Sequence, residues 1–115
     1  MTTHATRRLL AETIIDELQV LPELLRKAET RYYEAQRRLS EKRGLLAEAE
    51  ARPEHAAGDW TAYRRAGAQA YLQTNQLLAE LLEAQEEADR WKTEVDYLRR
   101  RHDNYRVMAG LLANA

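Results

Sequence analysis

The stretch with the most suggestive chemistry in this sequence is LRRRHDNYRVMAG, which runs from Leu98 to Gly110. It contains four arginines, a histidine and a tyrosine. Two further arginines, Arg7 and Arg8, lie near the N-terminus. Guanidinium groups neutralise phosphates, so arginines gathered on one surface favour nucleic-acid binding. The six candidate contacts are Arg7, Arg8, Arg99, Arg100, Arg101 and Arg106. Two other interpretations stay open: a solvated helix face whose arginines pair with nearby carboxylates, and a docking site for an acidic protein.

Residues that carry catalysis or bind metals form no pattern in this chain. The histidines are His4, His55 and His102, and none stands at the spacing of a zinc site such as HExxH. Ser40 is the only serine, and it has no histidine near it in the sequence. Cysteine is absent, which excludes a disulfide framework and thiolate catalysis. We therefore expect no enzymatic activity, no metal and no cofactor.

Composition points to long solvated helices. Charged residues make up 32% of the 115 residues and hydrophobic residues 44%, while phenylalanine is absent and the net charge is -1. A chain of this length forms one small domain with a modest core. Glu12 interrupts the apolar run near the N-terminus, so no secretory signal forms, and no segment has the roughly 18 apolar residues of a membrane span. We expect a cytoplasmic protein without membrane contact.

Two heptad runs dominate the sequence, each with apolar residues at alternating steps of three and four. The first run consists of Ala11, Ile14, Leu18, Leu21, Leu25, Ala28, Tyr32, Ala35, Leu39, Lys42, Leu46 and Ala49. The second consists of Trp60, Tyr63, Gly67, Ala70, Thr74, Leu77, Leu81, Ala84, Ala88, Trp91, Val95, Leu98, His102, Tyr105, Ala109 and Leu112. Each run predicts a helix with a seam that must face another helix.

The stretch ARPEHAAGDW separates the runs and contains both turn-forming residue types, proline and glycine. It predicts one helical-hairpin domain over 1–115, with helix one at about 6–52, a turn at 53–58 and helix two at about 59–112. Asp59 is suitably placed as the N-cap of helix two. The fold class is therefore all-α: an antiparallel two-helix coiled-coil hairpin.

Pro22 interrupts the first run, because proline cannot donate a hydrogen bond to the preceding turn. Either a continuous helix kinks there, which we favour, or a new helix begins there. A hairpin that turns near residue 55 places Trp91 beside Leu21 and Pro22, and Gly67 beside Lys42. Both tryptophans are expected in the seam rather than exposed as base-stacking platforms.

Apolar residues outside the two seams widen the hydrophobic stripe beyond what a two-helix hairpin buries. This predicts a homodimer that forms a four-helix bundle, or a larger assembly. Alternatively, the apolar C-terminal tail could dock on a different protein. The candidate oligomer or partner contacts are Leu78, Leu82, Met108, Leu111 and Leu112.

The antiparallel arrangement also bears on the arginines. Antiparallel pairing of the helices would bring Arg7 and Arg8 alongside the arginines that follow Leu98, at the open end of the hairpin. The predicted cluster therefore depends on the pairing of the two helices and not on either segment alone.

Two segments, DELQVLPELLRKAETRYYEAQRRL and LLEAQEEADRWKTEVDYLRRRHDNYRVMAGLLANA, resemble small helical-hairpin proteins of phages and prophages of high-GC Gram-positive bacteria. The likeness lies in the length, an early leucine-proline step and a basic stretch before an apolar tail. Genes for such proteins often lie among phage replication and recombination genes. The resemblance implies an accessory role in DNA metabolism and transfers no catalytic residue. The secreted WXG hairpins do not fit, because the turn here reads GDW.

Two functions follow as hypotheses. The first is a non-enzymatic binding or scaffolding accessory in phage-type DNA replication or recombination, with DNA contacted through the arginine cluster. The alternative is a protein-protein interaction module, such as an assembly chaperone, an adaptor or an inhibitor of a host protein, that binds no nucleic acid.

Overall fold

The chain folds into two α-helices that pack against each other, as the sequence predicts. The computed structural model describes residues 2–51 and 60–114. Helix α1 spans Thr2–Ala51 and helix α2 spans Trp60–Ala113. Both consist largely of alanine, leucine, glutamate, glutamine and arginine, which have high helix propensity. Over these residues there is no strand, which confirms the all-α hairpin, and neither helix has an apolar stretch long enough to span a bilayer.

The predicted seams form the contact between the helices. All twelve predicted seam positions of α1 are buried or half-buried, and so are those of α2 from Gly67 to Leu112. The side chains of Trp60 and Tyr63 lie outside the described part of the chain. Lys42 is only half-buried, so its aliphatic stem covers the seam while its ammonium group reaches the edge. The heptad pattern therefore predicted correctly which side of each helix is covered.

Helix α1 continues through Pro22 as a single helix. The proline ring is exposed, while the neighbouring Leu21 is completely buried. Proline removes the hydrogen bond to the carbonyl of Leu18, and packing of the seam on both sides holds the helix together across this gap. The turn predicted at 53–58 and the N-cap predicted at Asp59 lie outside the described residues.

The hairpin comprises two compact units. The first unit consists of Met1–Tyr32 and Arg90–Ala115, and the second of Tyr33–Asp89. The first contains a cluster of buried residues formed by Leu21, Ala28, Val95 and Leu98. Among the described residues of the second unit, the buried ones are Ala35, Leu39, Ala84 and Ala88. Because three of these four are alanines, the second unit buries little apolar surface per layer.

The register of the helices differs from the predicted one in the second unit. The ammonium nitrogen of Lys42 lies 2.8 Å from Oε2 of Glu80, and the two residues are 38 apart in the sequence. A hairpin turning near residue 55 would have placed Lys42 beside Gly67 instead. That prediction was wrong by more than one heptad.

The same error affects Trp91 in the first unit. The Arg31 guanidinium lies 5.3 Å from the centre of the Trp91 ring, and Trp91 lines a cavity together with Leu24 and Ala28. The predicted position beside Leu21 and Pro22 is about one heptad away along α1.

A heptad pattern fixes which side of a helix is covered, but it repeats every seven residues and leaves the register open. The sizes of the paired residues then select among registers. Placing the large Trp91 ring beside Ala28 avoids the overpacking that a bulky leucine opposite it would cause, which typically costs about 1–3 kcal/mol. The observed register thus pairs a large seam residue with a small one, a match that periodicity alone does not specify.

The register can be tested by thiol cross-linking, because the chain has no cysteine of its own. A short bismaleimide should join the two helices when Lys42→Cys is combined with Glu80→Cys, since these positions are in contact. Lys42→Cys combined with Gly67→Cys should not react within one chain. Mobility on a denaturing gel after proteolysis between the helices distinguishes the two outcomes, and efficient cross-linking of only the Gly67 pair would contradict the register.

Candidate functional site

Two of the six predicted arginine contacts form ion pairs across the helices of the first unit. Nη2 of Arg101 lies 2.8 Å from Oε1 of Glu17, and both side chains are about one-third exposed or less. Nη2 of Arg99 lies 3.4 Å from Oε1 of Glu29. Both guanidinium groups therefore already have a carboxylate partner, as the interpretation of a salt-bridged helix face expected.

Burial and ion pairing act in opposite directions on Arg101. Partial burial lowers the pKa of its guanidinium, whereas the Glu17 carboxylate and a hydrogen bond with Tyr105 raise it, and the net direction is upward. Arg101 therefore stays charged, and its charge is directed at Glu17 rather than at solvent.

The N-terminal arginines lie elsewhere. Arg8 is exposed and pairs within α1 with Glu12 at 3.7 Å. Arg7 lines a cavity of about 400 Å³ together with Leu10 and Leu112. Arg7 is thus near Leu112, close to the end of α2.

Arg8 does not lie beside Arg99 and Arg101, as the predicted cluster required. At about 1.5 Å per residue, Arg8 lies about 14 Å along α1 from Glu17 and about 30 Å from Glu29, the partners of Arg101 and Arg99. The shifted register is the cause, because it pairs the arginines of α2 with residues well inside α1 instead of with its first two turns.

The remaining two arginines, Arg100 and Arg106, are exposed. Nε of Arg100 donates to the carbonyl oxygen of Asp96 at 3.4 Å, one turn earlier in α2. Neither arginine has a carboxylate within ion-pairing distance in the described part of the chain. Together with Arg7, they are the three of the six that form no ion pair in the described chain and whose charges remain available to an external anion.

Ion pairs across the helices also occur in the second unit. Nη2 of Arg38 lies 3.0 Å from Oε1 of Glu87, and Nζ of Lys42 lies 2.8 Å from Oε2 of Glu80. A hydrogen bond from Lys42, and then the attraction of its charge, lower the pKa of Glu80 below the ordinary glutamate value. Glu80 and Glu87 of α2 therefore meet basic residues of α1 inside the same hairpin.

One edge of the first unit is distinctly apolar. Glu17 of α1 and Arg101 of α2 are in contact and therefore flank the same side of the seam. Residues seven positions before or after each of them lie on that same side, because the heptad repeats every seven residues. We call this the Leu24 edge. It comprises Leu10, Glu17, Leu24 and Arg31 of α1 and Glu94, Arg101 and Met108 of α2. Exposed apolar residues widen it on both helices: Val20, Tyr97 and Leu111.

One edge of the second unit is apolar and nearly free of net charge. Its position is given by the hydrogen bond from Arg43 to Oε1 of Gln85, at 3.1 Å. We call this the Leu78 edge. It comprises Gln36, Arg43 and Glu50 of α1 and Tyr71, Leu78, Leu82 and Gln85 of α2.

The predicted oligomer or partner contacts are divided between these surfaces. Leu78 and Leu82 are exposed on the Leu78 edge, at 44% and 58%. Met108 is half-buried on the Leu24 edge and Leu111 is exposed beside it. Leu112 is half-buried in the seam and lines the cavity that contains Arg7.

The histidines form no metal site in the residues that the structure describes. His102 is half-buried at its predicted seam position, His4 is exposed, and His55 lies outside the described residues. Within 2–51 and 60–114, no group of three histidine, aspartate or glutamate side chains could hold a metal ion.

Sequence reasoning did not single out the residues around Trp91. A cavity of about 200 Å³ is lined there by Leu24, Lys27, Arg31, Trp91 and Glu94. A signal was present, because Leu24 and Arg31 recur with Glu17 every seven residues beside the seam. Without the register, however, the sequence could not show which residues of α2 they meet.

No protein-family model, no curated protein and no solved structure matches the chain.

The pairing of Lys42 with Glu80 predicts a specific pH dependence. Because the pKa of Glu80 is lowered in the folded protein, the pair stabilises the fold fully above the ordinary glutamate pKa of about 4.3. This stabilisation is lost as the pH falls through the lower folded-state pKa. In Lys42→Met the pKa of Glu80, followed by carboxyl NMR, should rise. Arg37→Met, which removes an exposed pair with Glu41, is the control and should leave it unchanged; an equal shift in both variants would refute the assignment.

Proposed function

We propose that the protein is a non-enzymatic protein-protein interaction module that self-associates through the Leu78 edge. One observation carries this proposal: large apolar side chains are more numerous on the surface than in the core. Fourteen large hydrophobic residues are exposed in the described chain, whereas nine hydrophobic residues are buried, and four of those nine are alanines. Soluble monomers rarely expose contiguous apolar surface unless it serves an interaction.

The accessible surface supports the same proposal. It amounts to 9081 Å², whereas a compact monomer of 13.4 kDa would expose about 6,500 Å². A standard interface buries about 800 Å² on each partner. The excess is therefore large enough for each copy to contribute a full interface and still present further surface.

The Leu78 edge suits a second copy of the chain because its charges do not oppose self-association. Arg43 and Glu50 are of opposite sign, and the other polar residues of the edge are neutral amides. A two-fold symmetric contact brings the same patch of each copy together, so a neutral apolar patch is favoured over a charged one. The small alanine-rich core of the second unit also leaves most of its apolar burial to be gained on association.

Sedimentation equilibrium over a concentration series tests this proposal. The protein should have a mass of at least two chains, and Leu78→Gln combined with Leu82→Gln should lower it to that of one chain. The matched control is Leu72→Gln combined with Val107→Gln, which alters two exposed residues of α2 outside this edge. A monomeric parent protein, or equal dissociation in both double variants, would exclude self-association through the Leu78 edge.

The second candidate is the accessory role in phage-type DNA replication or recombination that the resemblance implies. Arg100 and Arg106 favour it, because they are exposed and without carboxylate partners in the described chain. The ion pairs of Arg99 and Arg101, and the distance of Arg7 and Arg8, weaken it. Any DNA contact on this surface would rest on about two charges instead of six.

The salt dependence of DNA binding measures this difference. Two phosphate contacts give a slope of log K against log salt of about -2, whereas six give about -5. With single- and double-stranded DNA we expect either no binding or the shallower slope. Any binding that is measured should be abolished when Arg100→Gln is combined with Arg106→Gln. A slope of about -5 that becomes shallower in Arg7→Gln and Arg8→Gln would instead support DNA contact through all six arginines.

A further inference from the structure

The Leu24 edge of the first unit is not a flat surface, because two cavities open along it. One is the cavity of about 200 Å³ at Trp91, to which Leu24 contributes. The other, of about 400 Å³, contains Leu10 and Leu112. The pair of Glu17 and Arg101 lies between them along α1, since Glu17 stands halfway between Leu10 and Leu24.

The separation of the cavities matches the repeat of a helix. Leu10 and Leu24 are two heptads apart, which is about 21 Å along α1. A helix laid in the groove between α1 and α2 therefore has its own apolar residues, also two heptads apart, above the two cavities. About four turns of such a helix cover the distance.

The charges around the cavities are mainly basic. Lys27 and Arg31 line the Trp91 cavity with Glu94 as the one acidic residue, and Arg7 lines the other. Glu17 and Arg101 neutralise each other between them. Of the described residues, no carboxylate lies within ion-pairing distance of Arg7, Lys27 or Arg31. Arg31 is instead stacked over the Trp91 ring.

This charge distribution disfavours a second copy on the Leu24 edge. Arg7 lies at one end of the edge, and Lys27 and Arg31 outnumber Glu94 at the other. A two-fold symmetric contact therefore brings like net charges together whether the copies lie parallel or antiparallel. An apolar helix flanked by carboxylates meets the same surface with opposite charges at each end.

We propose that the Leu24 edge binds an amphipathic α-helix of a different protein, whose apolar residues enter the two cavities and whose flanking residues are acidic. This inference rests on the proposed function, since it names the partner chemistry of an interaction module. It assigns the edge to a heterologous partner and leaves self-association to the Leu78 edge.

Trp91 provides a direct reporter of occupancy. The chain has two tryptophans, so a Trp60→Phe background makes Trp91 the only one. The probe is a synthetic amphipathic helix of about three heptads, with leucines at the a and d positions and glutamates at e and g. A matched probe carries lysines at e and g. Like charges at these positions keep each probe from pairing with itself.

We expect the glutamate probe to shift Trp91 emission to shorter wavelength and to bind at least roughly tenfold more tightly than the lysine probe. Lys27→Glu should weaken the glutamate probe by roughly the same factor and strengthen the lysine probe. Lys92→Glu reverses an exposed charge on the other edge of the first unit, seven residues before Arg99, and should change neither. Circular dichroism of each variant verifies that the helices are intact.

A second pair of matched variants tests the contribution of apolar contacts to binding of the probe. Leu24→Gln should weaken the glutamate probe, whereas Ile15→Gln, at an exposed apolar position on the edge that carries Glu29, should not. Equal binding of both probes, or no emission change with the glutamate probe, would overturn the inference. Conversion of an oligomer to a monomer by Leu24→Gln would also overturn it, because a second copy would then occupy the groove.

These outcomes separate the two proposals. If the glutamate probe fails while Leu78→Gln with Leu82→Gln still yields a monomer, self-association stands and the acidic partner helix is excluded. If the probe binds while the parent protein is monomeric, the Leu24 edge is an interaction site and the Leu78 edge is not.

Discussion

The pairing of large and small residues across the seam is the constraint on which the rest of the first unit depends. A seam with a seven-residue repeat is compatible with several registers, and each register brings different flanking residues together. Trp91 is the largest seam residue of the first unit, and it lies beside Ala28 in a cluster with Leu21, Val95 and Leu98. Shifting α1 by one heptad would replace Ala28 by Leu21 at the position beside that ring. The volume of one layer thus selects the register for its neighbours.

The charge pairs follow from that register. Exposed ion pairs contribute little each, about 0–1 kcal/mol, so they do not by themselves fix the helices. Their effect on the surface is larger than their effect on stability. Because Glu17 and Glu29 meet Arg101 and Arg99, two charges that would have attracted phosphates are neutralised inside the hairpin. The basic appearance of the sequence after Leu98 is therefore stronger than the positive potential that the folded surface presents.

Periodicity alone was enough to predict the all-α class and the covered side of both helices, including the burial of Ile14 and the partial burial of His102 and Trp91. It was not enough to predict which residues lie beside Arg99, Arg101 and Trp91. Both depend on register, which a seven-residue repeat leaves open. The cavity at Trp91 was missed for the same reason. Lys27 and Arg31 belong to α1, whereas Trp91 and Glu94 belong to α2, and only their juxtaposition makes a cavity.

The two apolar edges differ in a way that has consequences for assembly. The Leu78 edge combines leucines and a tyrosine with amides and two opposite charges, so identical surfaces can approach without repulsion. On the Leu24 edge the cations of Arg7, Lys27 and Arg31 form no ion pair with a described carboxylate and outnumber the nearby Glu94, so identical surfaces repel. Apolar area attracts any apolar partner, whereas charge discriminates between partners. A short hairpin can in this way keep a surface for its own copy separate from a surface for an acidic helix. Each needs only a few residues beside a seam that both helices already share.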